Sequence, residues 1–156
     1  PFLSRSSLLN LAEYFSDWEG TFFLYSGGTL DSAQHSFLAL FPYERVTLIE
    51  DNLVHQRGDV QKTETAVHPW KALQDHFFSP LSNEADSMAF GWFGYGMGAS
   101  ADEEKKIPYR SSSFPDAYWQ KCAVVIRVDH REERVEAILR PEEADEKGKS
   151  WIDIFS

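Results

Sequence analysis

The sequence predicts a single domain of helices and antiparallel strands, and three patterns along its 156 residues lead to that prediction. Short strand-like runs bounded by turn residues crowd the first third of the chain. The apolar run from Tyr118 to Asp129 is followed by a second run from Arg134 to Arg140, which is typical of a paired hairpin. Apolar residues at helical spacing mark both ends of the chain. The length is that of one domain rather than two.

Three segments carry a helical pattern. The first is Ser4 to Ser16, and its apolar side consists of Leu8, Leu11, Ala12 and Phe15. The second opens at His68-Pro69-Trp70 and runs to about Phe78, because proline suits the first turn of a helix and Ser79-Pro80 would stop it. The third is Glu142 to Ser156, with an apolar side of Trp151, Ile152, Ile154 and Phe155. No later element follows to cover that side, so we expect a chain that is cut there rather than finished.

The early strands are short and closely spaced. The first is Thr21 to Tyr25, and it closes on the turn residues Ser26-Gly27-Gly28. A polar loop from Thr29 to Gln34 precedes the second strand, Ser36 to Phe41, which we expect Pro42 to end. Arg45 to Glu50 and Asn52 to His55 then form a predicted hairpin that turns at Glu50-Asp51.

Composition excludes several classes of function. The net charge of −10 would repel phosphates, so nucleic-acid and anionic-membrane partners are not expected. No apolar run approaches the roughly 20 residues of a transmembrane helix. The single cysteine, Cys122, rules out an internal disulfide and suits a reducing compartment, so we expect a cytoplasmic protein. Its apolar neighbours predict that it is buried in a strand.

The segment Gly91 to Gly98 alternates glycines with Trp, Phe and Tyr. A phosphate-binding loop would need a helix and a Lys-Ser or Lys-Thr pair after it, and neither follows. We therefore expect the first half of Ser87 to Gly98 to be a strand whose glycines allow close backbone approach while the rings pack on either face. The residues from Ala99 to Pro115 lack apolar periodicity and predict a long surface loop.

One candidate binding site emerges at two neighbouring strand ends. Ser26, His35 and Ser36 would place hydroxyl and imidazole groups there, a rim suited to a small amphoteric molecule, although Ser26-Gly27-Gly28 reads equally well as a plain turn. The five histidines do not stand at metal-ligand spacing, so no metal site is expected. No nucleophile elbow or Cys–His arrangement is present in the sequence, so the residues alone indicate no catalytic site.

Three blocks in order resemble the N-terminal region of component I of anthranilate synthase and aminodeoxychorismate synthase (para-aminobenzoate synthase). The first block is Phe23 to Gly28 with Ser36-Phe37-Leu38 and Pro42 after it. The second is Phe90 to Tyr95, similar to the family's Gly-x-x-Gly-Tyr segment. The third is Phe114-Pro115-Asp116, which leads into an apolar strand that ends in Asp129-His130. The resemblance extends from about Ala12 to the end of the chain.

The resemblance implies an α+β fold in which helices cover mostly antiparallel sheets that pack at a steep angle. It also implies that the fold is incomplete without a C-terminal chorismate-binding domain, which holds chorismate, Mg²⁺ and the acid/base groups, so residues 1–156 alone would be inactive. The expected partners are that domain and a glutamine amidotransferase subunit. Ser26, His35 and Ser36 match positions that line the family's tryptophan pocket, so tryptophan is an expected ligand.

The chain departs from the family at that pocket. Tyr25 stands where a glutamate is usual in anthranilate synthases, Gln34-His35 stands where Arg-Tyr is common, and Gly96 replaces an acidic residue. The missing glutamate favours the aminodeoxychorismate branch, which leads to p-aminobenzoate and folate. Three alternatives stay open from the sequence: the anthranilate branch of tryptophan biosynthesis, a stand-alone small-ligand sensor, and an interaction module that presents Trp151 and Phe155 to a partner.

Overall fold

The computed structural model describes residues 5–26, 34–66, 68–78, 88–95, 97 and 114–155. The predicted loop between the first two strands, the Ser79-Pro80 helix stop and most of the predicted loop 99–115 lie outside these residues. The chain divides into two compact units. The first unit combines residues 1–43 with 122–156, and the second unit is residues 44–121.

Seven strands form an antiparallel sheet with the hydrogen-bonded order β4-β3-β2-β6-β5, and β1 pairs with β2 while β7 pairs with β6. The strands are β1 (Phe22–Leu24), β2 (His35–Ile49), β3 (Asn52–Arg57), β4 (Val60–Thr65), β5 (Ala89–Phe93), β6 (Ala117–Asp129) and β7 (Arg134–Leu139). The helical elements are α1 (Arg5–Tyr14), α2 (Pro69–Leu73) with a π-helical turn directly after it (Gln74–Phe78), a 3₁₀ turn (Pro141–Glu143) and α3 (Glu146–Phe155). The predicted combination of helices and antiparallel strands is thus confirmed.

Two details of the expected fold are wrong. The resemblance implied more than one sheet, whereas the described strands form a single sheet. Pro42 was expected to end the second strand, yet β2 continues to Ile49. The β1–β2 register ends at Ala39 and the β2–β3 register starts at Glu44, so neither ladder requires the N–H group that proline lacks. Phe41, just before the proline, has a positive φ of 58°.

The core of the first unit is built by α1, α3 and the strand segments that belong to that unit. Leu8 and Ala12 are buried along one face of α1, and Phe15, directly after the helix, is buried in the same cluster, as their spacing predicted. The ring of Trp151 on α3 makes edge contacts with Phe15 at 5.1 Å and with Trp18 at 5.8 Å. Trp151, on the apolar side of α3, therefore packs against α1 and the turn after it, which precede α3 in the chain.

The core of the second unit lies where α2 and the π-helical turn cover the sheet. Its fully buried side chains include Leu73 and Phe77 from the helical segment and Val46, Leu48 and Leu53 from the strands. Pro69 stands at the start of α2, as predicted. Burial of a Leu or Phe side chain contributes about 1.5–3 kcal/mol, so these five residues supply much of this unit's stability.

Close backbone approach explains the glycine-rich block, as predicted. A Cβ at Gly91 would lie 1.9 Å from the backbone oxygen of Tyr118 on β6. Trp92 on the same strand stacks on Tyr118, with ring centroids 4.7 Å apart and an interplanar angle of 17°. Gly94 donates its N–H to the backbone oxygen of Asp116 at 2.6 Å, and a Cβ at Gly94 would lie 3.0 Å from that oxygen. The strand therefore needs glycine where it contacts its neighbour.

Asp116 explains why a Pro-Asp pair precedes the long strand. Its backbone N–H donates to Leu48 at 2.8 Å, and its carboxylate accepts the N–H of Glu50 at 2.9 Å. Glu50 is in the predicted turn between β2 and β3 and has a positive φ of 55°. The carboxylate thus satisfies a backbone donor at a strained turn position.

Candidate functional site

The predicted rim residues lie at the facing ends of two paired strands in the first unit. In the antiparallel register, Leu24 of β1 is opposite Phe37 of β2. Ser26 follows β1 by two residues, while His35 and Ser36 begin β2, so the pairing brings all three together. The long strand β6 ends at Asp129, and His130 comes next; the backbone N–H of His130 donates to the carbonyl of Gln34 at 2.7 Å.

Ser36 is the centre of a buried hydrogen-bond network. Its side-chain oxygen accepts the backbone N–H of Ser26 at 2.9 Å and lies 2.7 Å from Nε2 of His130. Because a hydroxyl has one proton and two lone pairs, it can accept from Ser26 and still donate to a neutral His130. Ser36 itself is fully buried. The hydroxyl therefore fixes the ends of β1, β2 and β6 relative to one another.

A second contact joins the same strand ends. Nε2 of His35 lies 3.1 Å from Oδ2 of Asp129, and both side chains are partly exposed. The other carboxylate oxygen of Asp129 accepts the backbone N–H groups of Arg131 at 2.9 Å and Glu132 at 2.8 Å. The bonds from Arg131 and Glu132 close the turn between β6 and β7. The other oxygen of the same carboxylate orients the imidazole of His35.

The pKa of Asp129 lies below the ordinary value for an aspartate. The largest cause is the hydrogen bond from the Glu132 amide, which stabilises the charged form. Partial burial opposes this effect, while the Arg131 amide and the nearby His35 add to it. Asp129 is consequently a carboxylate at neutral pH, and it gives the rim a fixed negative charge.

Aromatic rings flank these polar groups. Tyr25 stacks on Phe23 with centroids 5.8 Å apart and meets the His130 ring edge-on at 6.5 Å. The ring of His35 stacks on Phe37 at 6.2 Å. Tyr25 is 42% exposed, so its ring is accessible beside the imidazole of His130. This combination suits recognition of a small aromatic molecule with charged ends.

The geometry does not point to nucleophilic catalysis at Ser36. Its hydroxyl is buried and already has partners on both sides, so an attacking role would require the strand ends to separate. Among the residues that the structure describes, no group of three or more His, Cys, Asp or Glu side chains is arranged to hold a metal ion.

The structure brings together all three residues predicted from the sequence, Ser26, His35 and Ser36. Whether they bind a ligand stays a prediction. Asp129 and His130 were noted only as part of a recurring block and were not predicted to join the site. A sequence signal for Asp129 and His130 does exist: they form a polar pair at the end of the strongest apolar strand. A strand in a sheet ends next to a neighbouring strand, so such a pair is a candidate for a site at the edge of the sheet.

The second unit contains a separate buried polar cluster. The carboxylate of Glu44 lies 2.7 Å from Nε2 of His55 and 2.9 Å from Nζ of Lys121. The side chains of Glu44 and Lys121 are 5% and 4% exposed. The lysine nitrogen also lies 5.0 Å from the centroid of the Phe77 ring. The three groups come from the neighbouring strands β2, β3 and β6, and the burial of Glu44 and Lys121 makes a structural role the simplest account.

Comparison with known proteins identifies the fold. No protein-family model matches the sequence, and no curated protein sequence matches it. Among solved structures, the chain is similar to anthranilate synthase component I from Streptococcus pneumoniae TIGR4, with a TM-score of 0.54 and 17% sequence identity. The likeness is one of fold. It covers 99% of this chain but only 35% of that protein, so the chain spans about a third of its length.

Within the described residues, no helix is both long enough and apolar enough to span a bilayer.

Proposed function

We propose that the chain is the non-catalytic N-terminal part of an aminodeoxychorismate synthase component I, in which it serves as scaffold and ligand pocket. The whole enzyme would aminate chorismate toward p-aminobenzoate and folate. Support comes from the three sequence blocks and from the likeness in fold to part of an anthranilate synthase component I. Chorismate and Mg²⁺ would be held by a C-terminal domain, and a glutamine amidotransferase subunit would supply ammonia.

The observation that carries the pocket proposal is the meeting of Ser26, Ser36 and His130 in one network. Three strand ends converge there beside an accessible Tyr25 and the Asp129 carboxylate. In such a site the carboxylate and hydroxyl groups would recognise the ammonium and carboxylate ends of an amino acid. The rings would cover its aromatic side chain, which makes tryptophan the favoured ligand.

A catalytic assay tests the scaffold role. The chain is incubated with chorismate, Mg²⁺ and ammonia, and the products are separated by chromatography. We expect no aminodeoxychorismate and no anthranilate, because under this proposal the groups that act on chorismate belong to the C-terminal domain. Formation of either product above the rate without protein would contradict the proposal.

A ligand titration tests the pocket role. The melting temperature is followed while L-tryptophan is added, with D-tryptophan and L-phenylalanine as comparison ligands. We expect L-tryptophan to raise the melting temperature of the wild type, as any ligand of the native state does. The increase should disappear in His35→Ala, whose substitution removes a partly exposed ring at the rim. Flat curves for the wild type would refute the pocket and leave the scaffold role.

The anthranilate branch is the second candidate, because the similar solved structure is an anthranilate synthase component I. The two branches make different products from the same substrates. The protein purified from its native source, supplied with chorismate, Mg²⁺ and ammonia, should yield aminodeoxychorismate under our proposal. Fluorescent anthranilate as the main product would assign the chain to the other branch.

A further inference from the structure

The strand β4 is at one end of the described sheet and is exposed along its whole length. All six residues from Val60 to Thr65 are exposed, and Val60 is 61% exposed. Among the strands that the structure describes, β3 is its neighbour. An edge of this kind presents backbone donors and acceptors to any strand that can align with it. The side chains of β4 determine which partner strand can align with it.

The backbone groups that face outward can be identified from one hydrogen bond. Ala66 donates its N–H to the carbonyl of Asp51 at 2.7 Å, which continues the β3–β4 register by one pair beyond Asn52 and Thr65. Hydrogen-bonded and non-hydrogen-bonded pairs alternate along an antiparallel ladder. Residues 60, 62 and 64 therefore direct their backbone groups toward β3, and Gln61, Thr63 and Thr65 direct theirs away from it.

We propose that β4 pairs with β4 of a second copy of this chain, antiparallel and about a two-fold axis through Thr63. In that register Thr63 faces Thr63 of the partner, and their outward backbone groups form the central hydrogen-bonded pair. Lys62 then faces the partner's Glu64, and Glu64 faces the partner's Lys62. These two pairs occupy non-hydrogen-bonded positions, where facing side chains are closest.

The pattern of charged side chains favours this register over registers that are shifted by two residues. A shift by two residues in one direction would place Lys62 against Lys62, and in the other direction Glu64 against Glu64. Like charges directly opposite one another destabilise strand pairing, whereas opposite charges and Thr–Thr pairs stabilise it. A two-fold axis through Thr63 forms the Lys62–Glu64 pair twice and the Thr63–Thr63 pair once, which is the self-complementarity that an isologous dimer requires.

The local charge also permits two copies to approach. The chain as a whole carries a net charge of −10. Within β3, β4 and their turn (52–65), Arg57 and Lys62 balance Asp59 and Glu64, so this hairpin has no net charge apart from His55. The hairpin is thus a neutral edge on an acidic protein. A six-residue pairing buries little area, so we expect a weak dimer that depends on concentration.

Sedimentation equilibrium over roughly 5 to 500 µM tests the proposal in the range expected for a small interface. The weight-average mass of the wild type should rise from 17.9 kDa toward twice that value. K62E and E64K each place like charges opposite one another twice, and each should weaken association by about tenfold or more. The double variant K62E/E64K restores both opposite-charge pairs and should dimerise like the wild type.

A backbone test is independent of charge. Thr63→Pro removes the central outward N–H without removing a hydrogen bond to β3, so the variant should fold yet stay monomeric. Thr63→Val keeps the N–H and is its matched control, and circular dichroism confirms that each variant is folded. The proposal is overturned by a wild type that stays monomeric at every concentration. Dimers that persist in both single charge variants, or a double variant that stays monomeric, would also overturn it.

Discussion

The side chains of Ser36 and His130 meet at 2.7 Å although 94 positions separate them along the chain. The same hydroxyl accepts the backbone N–H of Ser26, so a single oxygen holds together the ends of three strands. A network of this kind stabilises the fold only when every member is satisfied. Removal of its central atom should therefore affect the stability of the native state and the shape of the rim together.

Ser36→Ala should lower the free energy of unfolding by about 1–3 kcal/mol, because the Ser26 N–H and the His130 nitrogen both lose a buried partner. Urea denaturation monitored by tryptophan fluorescence measures the change. Ser26→Ala is the control, since Ser26 contributes its backbone N–H and not its hydroxyl to this bond. The control should stay within about 0.5 kcal/mol of the wild type. Equal losses in the two variants would contradict the central role of Ser36.

Asp129 should make the protein sensitive to acid. Its pKa is lowered in the folded state, chiefly by the Glu132 amide, while in the unfolded chain an aspartate has a pKa of about 3.9. The stability that the carboxylate contributes is complete above the unfolded pKa and is lost as the pH falls through the folded one. Asp129→Asn should remove this contribution and flatten the acid side of the stability curve.

Urea midpoints between pH 7 and pH 3 provide the measurement for that prediction. Asp153→Asn is the matched control, because Asp153 is exposed on α3 and should leave the pH dependence unchanged. An acid limb in Asp129→Asn as steep as that of the wild type would show that other carboxylates cause the loss.

How much the sequence could predict depended on burial. The strand β6 was found almost to the residue because it is buried along most of its length and contains the unbroken apolar run from Cys122 to Ile126. The strand β4 was missed because every one of its residues is exposed, so no apolar alternation marks it. Backbone pairing to β3 makes β4 a strand, and side-chain chemistry carries little trace of that pairing.

The site was predictable in part for a related reason. Ser26, His35 and Ser36 are close in sequence, and one pair of antiparallel strands is enough to bring them together. Asp129 and His130 join them through the position of β6 in the sheet, which is a long-range feature. No local pattern specifies which strand is the neighbour of β2, and only the structure supplied that contact.

Replacing only one member of the buried pair Glu44 and Lys121 should lower the stability of the protein strongly. Glu44→Gln leaves a buried lysine charge without its opposite charge, and such a break costs about 3–5 kcal/mol. Lys121→Met in the same background removes the orphaned charge and should recover most of the lost stability. Urea denaturation of the two single variants and the double variant measures the coupling. A double variant no more stable than Glu44→Gln would show that the ion pair is not what the core requires.

Gly91→Ala adds only one methyl group, yet it should lower the stability of the protein more than other substitutions of that size in β5. The added methyl would lie 1.9 Å from the Tyr118 oxygen and 2.7 Å from the Trp119 Cα, and both are backbone atoms that cannot rotate away. The two strands must separate locally, so we expect a loss of about 3 kcal/mol or more.

Gly58→Ala is the informative comparison for that substitution. Gly58 lies in the turn between β3 and β4 with φ of 54°, and a Cβ there would meet nothing within 4 Å. Its cost should be the backbone strain alone, about 1 kcal/mol. Amide hydrogen exchange should show early loss of protection in β5 and in the facing half of β6 for Gly91→Ala only. If both substitutions cost the same, close contact between β5 and β6 would not be what makes glycine necessary at position 91.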